Sequence, residues 1–262
     1  MKRISLLLLT LVLTTMLAAC GGNSNNNKSN TLEAVKASGK LRIGTEGTYA
    51  PFTYHDADGK LIGFDIEIAE GIAGRLGVET EFIETQWDGI FAGLDANRFD
   101  AVFNEVKIRE DRKEKYDFSD PYIVSRAALI VRNDNTDITK FADLKGKKAG
   151  QSLTSNLTDI AKENGAEIVA IEGFNQAIDL LLSKRIDATV NEKLSYLDLM
   201  KQRPDVALKV VDELPEADES AALFKKGNVE IIDAVNQALA DMKSDGTYLE
   251  ISKKYFGEDV SK

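Results

Sequence analysis

From Lys40 onward, short apolar runs alternate with longer segments whose apolar residues recur at helical spacing. Strands are predicted at 41–44, 80–83 and 100–103. Helices are predicted between them, the first carrying Ile66, Ala69 and Ile72 and closing at Gly77. Strands joined through helices pair in parallel, so this part of the chain predicts a βαβαβ unit with a parallel sheet.

The same pattern returns in the second half of the chain. Strands are predicted at 147–150, 168–170 and 188–190, with helices at 157–164 and 175–183 between them. Strands at 206–211 and 221–224 follow, and helices at 228–243 and 248–255 pack on the first lobe. The fold class is therefore α/β with two lobes, each a mostly parallel sheet flanked by helices. Lobe 1 comprises 39–125 and the return segment 220–262, lobe 2 comprises 126–219, and the chain crosses between lobes twice, near 127–131 and between 212 and 222.

The amino terminus has the three parts of a secretory signal. Basic Lys2 and Arg3 precede an apolar run that ends in Leu17-Ala18-Ala19-Cys20, so 1–19 is predicted to be a cleaved signal peptide. The run is shorter than the roughly 20 apolar residues that cross a bilayer, which disfavours a spanning helix. The tetrad resembles the lipobox of bacterial lipoproteins, which implies acylation of Cys20; the alternative is a coincidental thiol. The segment 20–38, rich in Asn, Ser and Gly at 22–30, is predicted to be a flexible tether.

Composition excludes several classes of function. The formal net charge is −10, whereas nucleic-acid binding needs a basic face. The sequence has one histidine, His55, and one cysteine. That leaves no disulfide within the chain, no usual zinc or copper ligand set and little material for Ser-His or Cys-His catalysis. No metal and no cofactor are expected.

Several motifs in a fixed order resemble the family 3 extracellular solute-binding proteins. They are Gly44-Thr45-Glu46-Gly47-Thr48-Tyr49-Ala50-Pro51-Phe52, Gly63-Phe64-Asp65-Ile66-Glu67-Ile68-Ala69, Arg98-Phe99-Asp100-Ala101, Tyr116-Asp117-Phe118-Ser119-Asp120-Pro121-Tyr122, Arg185-Ile186-Asp187-Ala188 and Asp245-Gly246-Thr247-Tyr248. The resemblance implies the two-lobed periplasmic-binding-protein fold of type II. It also implies a binding protein of an ABC importer, monomeric, held in the cell envelope, that closes on a polar amino acid and delivers it to a membrane permease.

The resemblance also implies residues for the amino-acid head group. Arg112 lies where the family has the arginine that grips the α-carboxylate, and its guanidinium can make two parallel bonds to a carboxylate. The alternative is a surface arginine in a charged run with Arg109 and Lys113. Glu192 lies where the family has the acid, usually aspartate, that accepts the α-ammonium; the alternative is an exposed acid paired with Lys193.

Further ligand contacts are expected from a helix start and from two aromatic residues. Thr154, Ser155 and Asn156 precede a predicted helix, where they would cap it and could also present amides to the carboxylate. Tyr49 and Trp87 occupy positions that line the ligand side chain in the family. Trp87 also has the spacing of an ordinary core residue.

The sequence departs from its relatives in 104–108, where many have small residues. Glu105 and Lys107 could pair with each other or, with Glu46, make the pocket suit a ligand with extra charged groups. This stretch and 116–122 most resemble the cystine or cysteine branch of the family. An enzyme similar to periplasmic dehydratases, and a surface adhesin or sensor, are the alternatives; binding without catalysis is the prediction.

Overall fold

The computed structural model describes residues 32–262. The predicted signal peptide, Cys20 and the Asn/Ser/Gly segment lie outside the described residues. In chain order the helices and strands are α1 (Leu32–Ser38), β1 (Lys40–Thr45), β2 (Thr48–Tyr49), β3 (Thr53–His55), β4 (Leu61–Ile62), α2 (Phe64–Leu76), β5 (Glu79–Glu84), α3 (Trp87–Asp95), β6 (Ala101–Lys107), α4 (Glu110–Lys113), β7 (Tyr116–Phe118), β8 (Ile123–Ser125), β9 (Ala127–Arg132), β10 (Lys148–Gln151), α5 (Asn156–Glu163), β11 (Glu167–Ala170), α6 (Phe174–Leu182), β12 (Ala188–Glu192), α7 (Lys193–Gln202), β13 (Leu208–Glu213), β14 (Asp218–Lys225), α8 (Val229–Asp245) and α9 (Thr247–Phe256).

Lobe 1 is built on a sheet with the order β5-β1-β6-β14-β7, to which β8 adds by pairing with β14. β5, β1 and β6 run parallel, whereas β14 runs antiparallel to its neighbours. A small antiparallel sheet of β2, β3 and β4 extends the lobe. The parallel βαβαβ unit predicted from the sequence is confirmed.

Lobe 2 repeats this plan with the order β11-β10-β12-β9-β13. β11, β10 and β12 run parallel, and β9 and β13 join as antiparallel strands. In each lobe, the antiparallel strand beside the parallel strands directly follows a crossing between the lobes: β14 in lobe 1 and β9 in lobe 2. The two-lobed α/β fold predicted from the sequence is confirmed, and the ends of the lobes at 125/126 and 219/220 stay a proposal.

Two crossings connect the lobes. The first runs directly from β8 through Arg126 into β9, and the second runs from β13 through 214–217 into β14. Because β8 and β14 pair with each other, the two crossings lie side by side in lobe 1. Both are short, so relative motion of the lobes is concentrated in a few residues.

Two helices depart from the sequence predictions. Residues 32–38, assigned to the tether, form α1 instead, because Val35 is only 2% exposed and packs into the core of lobe 1. Val35, with partly buried Leu32 packed against the same core, holds the segment on lobe 1. Helix α7 is not predicted at all; its Leu194 packs into the core of lobe 1 although α7 follows a strand of lobe 2. None of the helices within 32–262 combines the length and apolar character that crossing a membrane requires.

Candidate functional site

A cleft of about 530 Å³, counting its opening to solvent, lies between the lobes. In open α/β sheets ligands bind beyond the carboxyl ends of the strands, and this cleft collects such ends from both sheets. β1, β6, β10 and β12 all end at or beside it. Its polar and aromatic lining consists of Glu46, Tyr49, Trp87, Asn104 and Glu105 from lobe 1 and Gln151, Ser152, Ser155, Asn156, Thr189 and Asn191 from lobe 2.

Glu46 follows β1 and is held by Asn104 of the neighbouring strand β6. The Asn104 amide donates to Glu46 Oε2 at 2.6 Å, and its carbonyl oxygen accepts from the Glu46 backbone N–H at 2.7 Å. Burial raises the pKa of Glu46 to about 7, against the opposing effect of the bond from Asn104. The carboxylate is thus fixed in place at the cleft and poorly solvated, so a ligand cation would stabilise it.

Tyr49 spans the cleft from lobe 1 to lobe 2. Its hydroxyl donates to Asn191 Oδ1 at 2.9 Å, and its ring packs against the apolar clusters of both lobes. Trp87 begins α3, is 8% exposed and has an indole N–H without a hydrogen-bond partner among the described residues. The structure brings both aromatic residues to the cleft, and Trp87 also packs in a lobe 1 core with Ile90. The two interpretations of Trp87 are therefore compatible.

Glu105 lies on β6 with a left-handed backbone, φ 51°, which is uncommon for a side chain of this size. The carboxylate of buried Asp65 fixes this conformation by accepting the Glu105 N–H at 2.6 Å. The Glu105 side chain turns into the protein, where Ser220 of β14 donates to it at 2.8 Å. Burial, then the charge of Glu192, holds the pKa of Glu105 well above its ordinary value. Glu105 does not pair with Lys107.

Glu192 ends β12 and is only 2% exposed. Its Oε2 has no hydrogen-bond partner among the described residues. Burial raises the pKa of Glu192 to about 7, and the nearby Ser125 hydroxyl, followed by the charge of Lys107, opposes that rise. The exposed pair with Lys193 is absent, because Lys193 instead bonds Glu213 at 2.9 Å. A buried acceptor without a partner is what an incoming ammonium would satisfy.

Arg112 lies on α4 and is 7% exposed. Its guanidinium carbon is 5.4 Å from the Trp87 ring centroid and 5.2 Å from that of Phe91, and Nη1 donates to the Lys107 carbonyl at 2.9 Å. It has no ion-pair partner within residues 32–262. Burial, followed by repulsion from Arg109, lowers the pKa of Arg112 to about 10, so it stays charged at neutral pH. It is a buried cation beside the cleft, packed under Trp87, and not a surface arginine.

Three other predicted residues divide between the cleft and its edge. Ser155 caps α5 by accepting the Leu157 N–H at 3.2 Å, and Asn156 is the first residue of that helix; both line the cleft. Thr154 lies at the mouth and bonds Asp88 of α3 instead, through its hydroxyl at 2.7 Å and its N–H at 3.0 Å. Thr154 therefore joins the lobes in this structure.

Lys107 ends β6 and forms an ion pair with Asp218 of β14 at 2.5 Å. Asp218 begins the strand that follows the second crossing, so this pair ties β6 to the hinge. Lys107 lines a neighbouring groove with Arg109 and Asn156 but not the cleft itself. Within the described residues, no group of three or more His, Cys, Asp or Glu side chains could hold a metal ion.

The cleft is closed in this structure. Besides the bonds of Tyr49 and Asp88, Asn175 of lobe 2 donates to the Thr48 carbonyl at 3.2 Å, and Arg109 pairs with Asp159 at 2.8 Å. Apolar side chains also pack across the interface between the lobes. Leu194 of α7 packs into the core of lobe 1, and Tyr49 of lobe 1 packs against lobe 2. Closure therefore buries apolar surface in addition to forming polar bonds.

Five polar residues of the cleft were not predicted. Asn104, Gln151, Ser152, Thr189 and Asn191 lie on buried strands or directly after one. The rule that ligands meet strand ends could have found Gln151 and Asn191, the former ending β10 and the latter lying one residue before Glu192. Asn104 could not be singled out, because its partner Glu46 is 58 residues away in sequence.

The buried carboxyl of Asp65 gives a pH dependence that can be measured. Burial raises the pKa of Asp65 to about 7 in the folded protein, whereas unfolded aspartate titrates near 4. The folded state therefore holds more protons between these values, so its free energy of unfolding falls as pH rises through that window. Asp65→Asn keeps the acceptor for Glu105 and removes this loss. In urea unfolding, the free energy of unfolding of Asp65→Asn relative to wild type is expected to rise by about 2 kcal/mol between pH 5.5 and pH 8. The same difference for the exposed control Asp233→Asn is expected to stay unchanged. An equal rise in both variants would contradict the assignment.

Two α/β lobes that close over a polar cleft, with a buried cation beside it and buried carboxylates on both sides, define a binding protein of the two-lobed class. The chain belongs to the bacterial extracellular solute-binding proteins, family 3, whose family model matches residues 41–258. It is a solute-binding protein and not an enzyme.

The relatives are similar over most of their length. The L-cystine-binding protein TcyA of Bacillus subtilis is 48% identical over 87% of this chain and 85% of its own. The L-cystine solute receptor of Neisseria gonorrhoeae, in its unliganded open conformation, is 44% identical with a TM-score of 0.60 over 88% of this chain and 98% of that one. An ancestral arginine-binding protein bound to arginine is 40% identical and has a higher TM-score of 0.79, over 83% of this chain and 98% of that one. The better fit to the liganded structure, despite lower identity, agrees with a closed arrangement of the lobes.

Proposed function

We propose that this protein captures L-cystine by closing its lobes and delivers it to the permease of an ABC importer, acting as a monomer. The observation that carries the proposal is the concentration of carboxylates at and beside one closed cleft: Glu46 and Glu105 of lobe 1 line it, and buried Glu192 of lobe 2 directly follows the lining residue Asn191. Cystine carries two ammonium groups, so it can neutralise more than one of these acids. The cystine-binding relatives at 48% and 44% identity support the same ligand.

One head group of the ligand is proposed to use the common amino-acid site. Arg112 and the N-terminal amides of α5, with Ser155 and Asn156, receive its carboxylate. Glu192 accepts its ammonium through the oxygen that otherwise has no partner. A buried cation and a buried anion without partners of their own are each costly, so a zwitterion that pairs with both is strongly favoured over water.

The other half of the ligand is proposed to extend along the lobe 1 side of the cleft. The disulfide and methylene groups lie between the rings of Tyr49 and Trp87, which suit a sulfur-containing chain. Glu46, fixed by Asn104, accepts the second ammonium. Lys107 forms an ion pair with Asp218 and is assigned no direct ligand contact. Its proposed role is therefore at the hinge and not in the pocket.

Delivery requires that closure be reversible. A ligand can hold the lobes together only by its differential affinity for the closed state, because equal affinity for both states shifts nothing. The lobe-to-lobe bonds of Asp88, Asn175 and Arg109 are all at exposed or partly exposed sites, where each contributes little. The buried charges at the cleft therefore give the ligand control over closure.

Calorimetric titration with L-cystine, L-arginine and S-methyl-L-cysteine tests the proposal. The protein is first unfolded and refolded to remove any carried ligand. L-Cystine is expected to bind at least tenfold more tightly than S-methyl-L-cysteine, which has the sulfur but a single head group, and more tightly than L-arginine, which has two cationic groups but one carboxylate. Tighter binding of arginine would reassign the substrate, and no binding of any of the three would contradict the proposal.

We further propose that the mature protein is a lipoprotein anchored to a membrane through Cys20, facing the periplasm or the cell exterior. The sequence of 1–20 supports this, together with membership of an extracellular family. Cells fed radiolabelled palmitate are expected to label the wild-type protein and not Cys20→Ala. Equal labelling of both would rule out Cys20 as the anchor, and absence of label in both would rule out the anchor itself.

A further inference from the structure

The start of helix α6 faces the cleft from lobe 2 with free backbone donors. Gly173 and Phe174, where α6 begins, both line the cleft. No side chain caps this helix, and the N–H groups of Gly173, Phe174 and Asn175 have no hydrogen-bond partner within residues 32–262. Free amides at a helix start carry partial positive charge and bind carboxylates. Lobe 2 therefore presents this helix start to a ligand, in addition to that of α5.

Gly173 leaves open space between α6 and Glu46 of lobe 1. Its φ is 175°, an extended conformation that any residue adopts, so the backbone does not require glycine here. Apart from its chain neighbours, a Cβ at this position would have a single neighbour within 4 Å among the described residues, Glu46 Oε1 at 3.9 Å. The other carboxylate oxygen of Glu46 is held by Asn104 at 2.6 Å. A fixed carboxylate and a helix start with free amides thus lie next to each other across the cleft.

A buried donor on the lobe 1 side of the cleft also lacks a partner. Trp87 lines the cleft with Glu46 and is 8% exposed, and its indole N–H makes no hydrogen bond in the described part of the chain. Arg112, which packs on the indole ring, offers no acceptor. Because a buried N–H without a partner is costly, this donor points to an acceptor on the ligand.

These groups match the charges of an amino-acid head group. The ammonium and the carboxylate of a head group are attached to one carbon, so the protein must meet them with an acid and with donors that lie close together. Glu46 and the start of α6 meet this requirement. The site proposed above for the first head group has the same composition, with Glu192 as the acid and with Arg112 and the start of α5 as donors. Cystine has two identical head groups, so two such sets of residues are complementary to its two ends.

We propose that Glu46 and the start of α6 form a second head-group site, in which the amides of residues 173–175 and the Trp87 indole N–H bind the distal carboxylate of the ligand. Glu46 binds the distal ammonium. This site rests on the proposed function and deepens it, because it names what selects a ligand with two complete head groups. A ligand with a distal cation alone would satisfy Glu46 but leave the donors of α6 without a partner in the closed cleft.

Calorimetry with two matched disulfides tests the second head-group site. L-Cystine is compared with the mixed disulfide of L-cysteine and cysteamine, which keeps the disulfide and the distal ammonium but lacks the distal carboxylate. Cys20, the one cysteine of the sequence, is replaced by alanine throughout, so that no protein thiol exchanges with the ligands. The protein is expected to bind L-cystine about tenfold more tightly, the size of effect for an anion at a partly buried helix start.

Asn175 offers a matched pair of variants at this helix start. Its side chain donates to the Thr48 carbonyl across the cleft, and both Asn175→Asp and Asn175→Ala remove that bond. Asn175→Asp also places a competing carboxylate at the start of α6. It is expected to bind L-cystine about tenfold less tightly than Asn175→Ala does, and the mixed disulfide at least as tightly. Asn175→Ala is expected to keep the wild-type ratio of the two affinities.

The outcomes separate the second head-group site from the proposed function. Equal affinities of the two disulfides for the wild type would overturn the site. So would an equal loss of both ligands in Asn175→Asp relative to Asn175→Ala, which is expected if α6 interacts with Glu46 alone. An acid in the first turn favours a helix, so Asn175→Asp is expected to fold, and thermal unfolding checks this; if it does not fold, the wild-type comparison decides. Failure of both disulfides to bind the wild type would contradict the proposed function itself.

Discussion

Replacing Arg112 by alanine is expected to weaken ligand binding by more than a hundredfold. Arg112 is the buried cation beside the cleft that lacks an ion-pair partner among the described residues, and the proposal assigns the ligand carboxylate to it. Removing one member of a buried, hydrogen-bonded ion pair costs about 3 to 5 kcal/mol, because the other charge is left buried and unpaired. Calorimetry with L-cystine measures the loss directly.

The fold of the variant needs a control, because the guanidinium also packs on Trp87 and Phe91. Arg98→Ala removes an exposed arginine of the same lobe and is expected to leave affinity unchanged. Arg112→Lys retains a charge but loses the planar fork, so it is expected to bind with intermediate affinity. If Arg112→Ala melts cooperatively and binds L-cystine within a few-fold of wild type, the carboxylate lies elsewhere.

Much of the fold follows from local sequence pattern. β1, β5 and β6, and likewise β10, β11 and β12, are short strands separated by helices of 3.6-residue period, so their type and order can be read along the chain. Helix α7 could not, because its apolar face is weak and divided between the lobes: Leu194 packs into the core of lobe 1, whereas Leu199 packs into lobe 2. Helix α1 follows a polar segment, and its burial depends on Val35 meeting a core formed far along the chain.

The site divides in the same way. The resemblance to the family singles out Arg112 and Glu192, and the start of a predicted helix singles out Ser155, all without knowledge of the lobe arrangement. The roles of Glu105 and Lys107 depend on β14, which arrives more than 100 residues later and supplies Ser220 and Asp218. No spacing in the sequence brings those residues together, so their partners emerge only from the three-dimensional arrangement.

Closure combines two opposing contributions. Leu194 and Tyr49 each leave their own lobe to pack against the other, which favours the closed state whether or not ligand is present. Glu46, Glu105 and Glu192 make the same state costly when they are ionised and unpaired. A binding protein needs this balance, because strong apolar closure alone would bury an empty cleft and exclude the ligand.

Replacing Glu192 by glutamine is expected to weaken binding of L-cystine by about thirtyfold to more than a thousandfold, the range for truncating one side of a buried charge pair. The amide keeps the size of the side chain but has no charge, and its NH₂ can turn toward the ligand ammonium, where two donors would meet. The cleft is otherwise intact, since the Glu192 N–H still donates to Asn191 Oδ1. Calorimetry at pH 8 measures the loss with Glu192 of the wild type ionised.

Two further measurements separate this role from a structural one. Glu213→Gln removes a carboxylate of the same lobe that pairs with Lys193, and it is expected to bind as wild type. Glu192 has a pKa of about 7 in the empty closed protein, so a proton on its carboxylate competes with the ligand ammonium as pH falls. The affinity for L-cystine is expected to drop by up to about tenfold for each pH unit below 7. Glu192→Gln is expected to show a shallower pH dependence, because only Glu46 and Glu105 remain to titrate. Affinity within threefold of wild type at pH 8, with an unchanged pH profile, would remove Glu192 from the ammonium site.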